Sequence, residues 1–142
     1  EVNALSSWRM LRCCEHLCRE RATQALEVWV NTSEAEIQPA VSPAYELSKR
    51  LLGQLVSMRG ATRSAEARSQ LVLRKLVLGP FRADLNPSGV MTADFVAGQV
   101  LWQAGMGARL IIVTPNPLTY VLMPITEVGR RLYSRALSRP DP

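Results

Sequence analysis

The chain has 142 residues, one domain's worth at roughly 100–200 residues per domain. With 47% apolar and 20% charged residues it has an ordinary globular composition, which argues against wholesale disorder. Three cysteines and one histidine exclude a disulfide framework and leave little for metal or acid–base chemistry. The net charge is +5, and Lys49 and Lys75 are the only lysines among 17 basic residues.

The first expected element is a long helix from Ser7 to Val30. Leu11, Cys14, Cys18, Ala22, Ala25 and Trp29 recur at spacings of three and four, which places them on one apolar stripe. Arg9, Arg12, His16 and Arg19 form a basic stripe beside it. Residues 1–31 therefore read as an extended N-terminal helix, 32–41 as a polar linker, and 42–142 as a compact helical bundle.

Ser42-Pro43 is a helix start, with a side-chain cap followed by proline at the first helical position. Leu47, Leu51, Leu55 and Met58 carry that helix to about Arg59. A third helix is expected from Thr62 to Leu78, stopped by Gly79-Pro80. Asn86-Pro87-Ser88-Gly89 marks a turn, and Thr92 caps a fourth helix with Asp94 in its first turn. The stretch 110–123 fits either a β-hairpin across Pro115-Asn116-Pro117, which the β-branched residues favour, or a helix–turn–helix, which Thr114-Pro115 favours as a capped helix start. The helix–turn–helix is the expectation taken. A last helix runs from Thr126 to Leu137. The expected fold is all-α: a long N-terminal helix plus a bundle of three to four helices. The 17 uncharged residues from Leu110 to Thr126 include three prolines, so no membrane-spanning segment is expected.

Charge is uneven along the chain. Between Lys49 and Arg82 eight basic residues face the single acid Glu66, and between Arg109 and Arg139 five arginines face Glu127. Such local excess favours phosphate-rich partners, to which arginine donates bidentate hydrogen bonds. The candidate nucleic-acid contacts are Arg9, Arg12 and Arg19 on the first helix, Arg50, Arg59, Arg63, Arg68, Arg74 and Lys75 in the middle, and Arg131 and Arg135 at the end. They would neutralise backbone phosphates without reading bases.

Other chemistry finds less support. Cys13, Cys14, His16 and Cys18 lie within one expected helix and lack the second ligand pair a zinc site needs. The histidine sits in a basic stripe, away from any nucleophile, and Gly105-Met106-Gly107 is a fragment of a glycine fingerprint. Tyr45, Tyr120, Tyr133 and the tryptophans fall among apolar positions and suit packing more than base stacking. The sequence thus suggests no enzyme, no catalytic or metal site and no cofactor.

The Arg9/Arg12/Arg19 helix, the Pro- and Gly-punctuated bundle from Ser42 onward and the Thr114-Pro115-Asn116-Pro117-Leu118 junction between helices resemble, in outline, the major coat proteins of filamentous archaeal viruses of the rudivirus, lipothrixvirus and tristromavirus group. That resemblance implies a capsid subunit in a virion. It would wrap double-stranded DNA and assemble with itself or a homologous coat subunit as a dimer or helical filament. The alternative is a cytoplasmic scaffold subunit of a larger protein or ribonucleoprotein assembly.

Overall fold

A computed structural model describes residues 4–21, 25–84 and 86–137, and in it the chain is mixed α/β rather than all-α. The element order is α1 (Leu5–Glu20), β1 (Leu26–Ser33), a 3₁₀ turn (Glu34–Glu36), α2 (Pro43–Thr62), α3 (Ala65–Gln70), β2 (Leu71–Leu78), α4 (Ala93–Gly105), β3 (Leu110–Val113) and α5 (Pro117–Leu137). The three strands form one parallel sheet in the order β1-β2-β3.

Two expected helices hid strands. The helix anticipated over Ser7–Val30 ends at Glu20, and from Leu26 onward the chain is β1; residues 22–24, with Ala22, lie outside the described residues. Along β1 the alternation puts Val28 and Val30 on one face and Glu27 and Trp29 on the other, the period-two signature of a strand. The helix anticipated over Thr62–Leu78 divides into α3 and β2. Leu-Val-Leu-Arg-Lys-Leu-Val-Leu is a near-continuous apolar run, and such runs suit a central parallel strand covered on both faces. Leu76 and Leu78 pack with Ile111, Val113 and the α4 residues Val96 and Val100. On the opposite face Leu73 joins Leu52 and Val56 of α2, and Val77 joins Ile112 and Met123 of α5.

The ambiguous 110–123 stretch forms neither a hairpin nor two helices. Residues 110–113 pair in parallel with β2, while Pro117 onward belongs to α5. Helix starts fall where the caps place them: Ser42 Oγ accepts from Tyr45 N–H at 3.4 Å and Thr92 Oγ1 from Phe95 N–H at 3.3 Å. The α1 helix lies against α2 and β1 of its own chain, with Leu11 and Cys18 packed on Leu71.

Candidate functional site

The strands end in register, Ser33 beside Leu78 and Leu78 beside Val113. In open α/β sheets, ligands bind in the crevice beyond the carboxyl ends of the strands. A cavity of about 690 Å³ opens there, walled by the 31–35 segment, Gln38, the start of α2 and the turn at Gly79–Phe81. The turn lies close to its neighbours: a Cβ on Gly79 would sit 2.5 Å from Thr114 Oγ1, so only glycine fits without displacement.

Polar side chains line this cavity, among them Ser33, Glu34, Gln38, Tyr45 and Lys49. Ser33 ends β1, and its Oγ accepts from Ala35 N–H at 3.2 Å. Tyr45 and Lys49 stand one helical turn apart on α2, with Lys49 Nζ 5.5 Å from the centre of the Tyr45 ring. Lys49 Nζ also donates to the Asn31 carbonyl at 3.5 Å. Burial pushes the Lys49 ammonium below its ordinary pKa, opposed by the charge of Glu36. The neighbouring wall is polar: Glu34 accepts from Thr114 Oγ1, and Gln38 bonds both Thr119 and Asn116 at 2.8 Å.

The α2 row that carries Tyr45 and Lys49 continues at Gly53 and Ser57, each four residues on, into a buried ionic cluster. Lys75 of β2 donates to Glu36 at 2.8 Å, to Ser57 Oγ at 3.0 Å, to Glu127 at 3.1 Å and to the Gly53 carbonyl at 3.2 Å. Arg130 adds a second cation to Glu36 at 2.7 Å. Lys75, Glu36, Ser57 and Glu127 are each less than 5% exposed. Burial alone would raise the Glu127 carboxyl. Lys75, the Ser57 hydroxyl and Arg131 outweigh it and hold the pKa below the usual carboxylate value.

The basic residues singled out in the sequence do not share one face. Lys75 is inside, and Arg63 is buried, with its guanidinium donating to the carbonyls of Ala67 and Leu71. Arg59 pairs with Glu15, Arg74 with Glu27, Arg50 with Glu46 and Arg131 with Glu127. Arg68 bonds the Ser64 carbonyl, while Arg9, Arg19 and Arg135 are exposed and Arg12 is half-buried. Sequence reasoning passed over Ser33, Tyr45 and Lys49. The available signal was a tyrosine and a lysine four apart in the first turns of a capped helix, directly after a β-like segment.

No protein-family model matches the chain, and no solved structure matches it. A curated protein of Synechocystis is 43% identical over 140 residues, or 98% of this chain. That relative is named a monoglucosyldiacylglycerol epimerase. The chain spans about a third of its length (33%). Near-complete coverage of this chain by a named enzyme overturns the viral coat resemblance and the expectation of a non-enzymatic, DNA-coating capsid subunit. Double-stranded DNA and filament-forming coat subunits fall away as partners, and so does the virion as a location, because the relative belongs to a cellular organism. Arginine richness misled the reading: most of these guanidiniums satisfy carboxylates and carbonyls of the same chain.

Proposed function

We propose that this chain carries the proton-transfer residues of an epimerase acting on the sugar headgroup of a glycolipid. Tyr45 is the acid–base group, Lys49 its electrostatic partner and Ser33 a hydroxyl that positions the reacting oxygen. The carrying observation is the Tyr45–Lys49 pair, one turn apart and open to the crevice at the carboxyl ends of the strands. The relative's name supplies the reaction class.

Inverting a secondary carbinol carbon requires its C–H bond to break and re-form on the opposite face. That hydrogen is not acidic, so the bond breaks as a hydride departs, while the hydroxyl proton passes to a base. A redox dinucleotide, when bound, supplies the hydride acceptance. The crevice suits such a group by position and by size, small-molecule and cofactor sites being about 300–1,000 Å³. Asn31 and the Gly79–Pro80 turn are the walls between which it would lie. The chain's own residues handle the proton. The Lys49 ammonium, 5.5 Å from the centre of the Tyr45 ring, places a positive charge beside the group that carries the proton. Tyr45 then takes the hydroxyl proton as the carbonyl forms and returns it when the carbinol is restored.

Replacement of Tyr45 by Phe removes the proton carrier and leaves the half-exposed ring in place. Conversion of monoglucosyldiacylglycerol to its epimer, followed by chromatography of the headgroup sugar with oxidised dinucleotide added, should fall by about 10²–10⁴-fold. Lys49→Met should also lower the rate, because the positive charge beside the Tyr45 ring is lost. Full turnover by Tyr45→Phe would remove the proposal.

A further inference from the structure

Helix α5 is packed inside out. Amphipathic helices ordinarily bury their apolar stripe, yet α5 buries Thr119, Met123, Glu127 and Ser134. Two of the polar members have inward partners: Thr119 takes a hydrogen bond from Gln38, and Glu127 meets Lys75 and Ser57. Facing outward are Leu118, Val121, Ile125, Val128 and Leu132, each 57–64% exposed and recurring at three and four residues. They form one stripe along a helix of about 30 Å. Contiguous exposed apolar surface of this kind marks an interaction site.

The border of the stripe is basic. Arg131 and Arg135, one turn apart on α5, share a small cleft of about 50 Å³ with Arg63, Arg68 and Arg109. Glu127 is the one acid lining this cleft, and Lys75, Ser57 and Arg131 already engage it, while Arg63 is buried on the Ala67 and Leu71 carbonyls. Arg109 and Arg135 are the exposed arginines that face an incoming anion. A second copy packed along this helix would offer these arginines no acid, since Glu127, the one acid of α5, is buried. An anionic bilayer offers both halves of the complement, acyl chains for the stripe and phosphates for the arginines. No described helix is long and apolar enough to cross a membrane, so α5 would lie in the interface plane, apolar face down, as amphipathic helices with basic flanks do.

The geometry points to α5 as a membrane-docking helix that seats the protein on a bilayer carrying anionic lipid, its arginine cleft holding headgroup phosphates. The choice of a bilayer as partner rests on the glycolipid reading above, since such a substrate resides in a membrane.

Flotation with vesicles tests docking without requiring turnover. The protein should bind phosphatidylcholine vesicles containing phosphatidylglycerol at least about tenfold more tightly than pure phosphatidylcholine. Millimolar inorganic phosphate should not displace it, since a free anion offers nothing to the stripe. Ile125→Glu with Leu132→Glu should lose binding by about tenfold or more, while Arg109→Ala with Arg135→Ala should lose only the anionic preference. Both pairs should keep the wild-type circular dichroism spectrum and, if the epimerase reading holds, full turnover of detergent-dispersed substrate. Absent turnover with intact flotation would strike the epimerase reading alone. Equal flotation of the Glu variant and the wild type would overturn the docking proposal. A concentration-dependent dimer that dissociates on the Glu substitutions, with no vesicle binding by the wild type, would overturn it equally and assign the face to a second copy.

Discussion

Lys75 shows how misleading a charge can be when read one residue at a time. Its neighbours in sequence suggest a solvated cation, but its ammonium ends among two carboxylates, a hydroxyl and a carbonyl. Removing one member of a buried ion cluster strands the others, which typically costs about 3–5 kcal/mol. Lys75→Met should destabilise the protein by that amount in urea unfolding, and Glu127→Gln should recover part of the loss in the double variant. The Glu127 carboxyl also sets a pH dependence. Its folded pKa is lowered, so the stabilisation is present above the unfolded carboxylate value of about 4.3. As pH falls below that, the unfolded chain takes up the proton first and stability declines until folded Glu127 protonates as well. Glu127→Gln should flatten this acid limb in melts between about pH 5 and 3.

Helix α2 does two jobs with one row of residues. Tyr45 and Lys49 face the crevice, while Gly53 and Ser57, on the same row, meet the ionic cluster. Gly53 ought to weaken a helix interior, and glycine-to-alanine exchange there ordinarily gains about 1 kcal/mol. Here a Cβ would lie 1.8 Å from Glu36 Oε2, so the buried Glu36 carboxylate would have to leave its place between Lys75 and Arg130. Gly53→Ala should therefore lose about 1–3 kcal/mol, and circular dichroism melts should show a lower midpoint despite the better helix former. Because the displacement reaches Glu36, which acts on Lys49 through its charge, the same variant should also shift the pH profile of turnover.

At the scale of the whole molecule, the Lys75 cluster ties α2, α5, β2 and the 3₁₀ turn on one face of the sheet, while α4 packs on the other. Each face has its own apolar clusters, but β2 contributes alternate residues to both and so joins them. Unfolding should accordingly be a single transition. Fluorescence from Trp29 at β1 and Trp102 on α4 should change together with far-UV circular dichroism; two separated transitions would show that the faces come apart independently.

How much the sequence carried is clear from particular elements. Ser42-Pro43 and Thr92 marked their helix starts unaided, because a cap is a local bond between a side chain and an amide two or three residues on. The apolar positions of β1 and β2 were visible as well, but their type was not. A short apolar run satisfies helix and strand periods alike, and a parallel strand has its hydrogen-bond partners dozens of residues away. Trp29 could extend a helical stripe on paper; pairing with β2 made it part of a strand. The crevice was invisible for the same reason, since Ser33, Tyr45 and Lys49 converge only when β1 turns into α2 at the carboxyl edge of the sheet. Composition fixed a basic, arginine-rich globular chain. Which arginines are spent on internal carboxylates, and that α5 turns its apolar side to the outside, was decided by long-range pairing, because a charge is neutralised by what lies beside it in space.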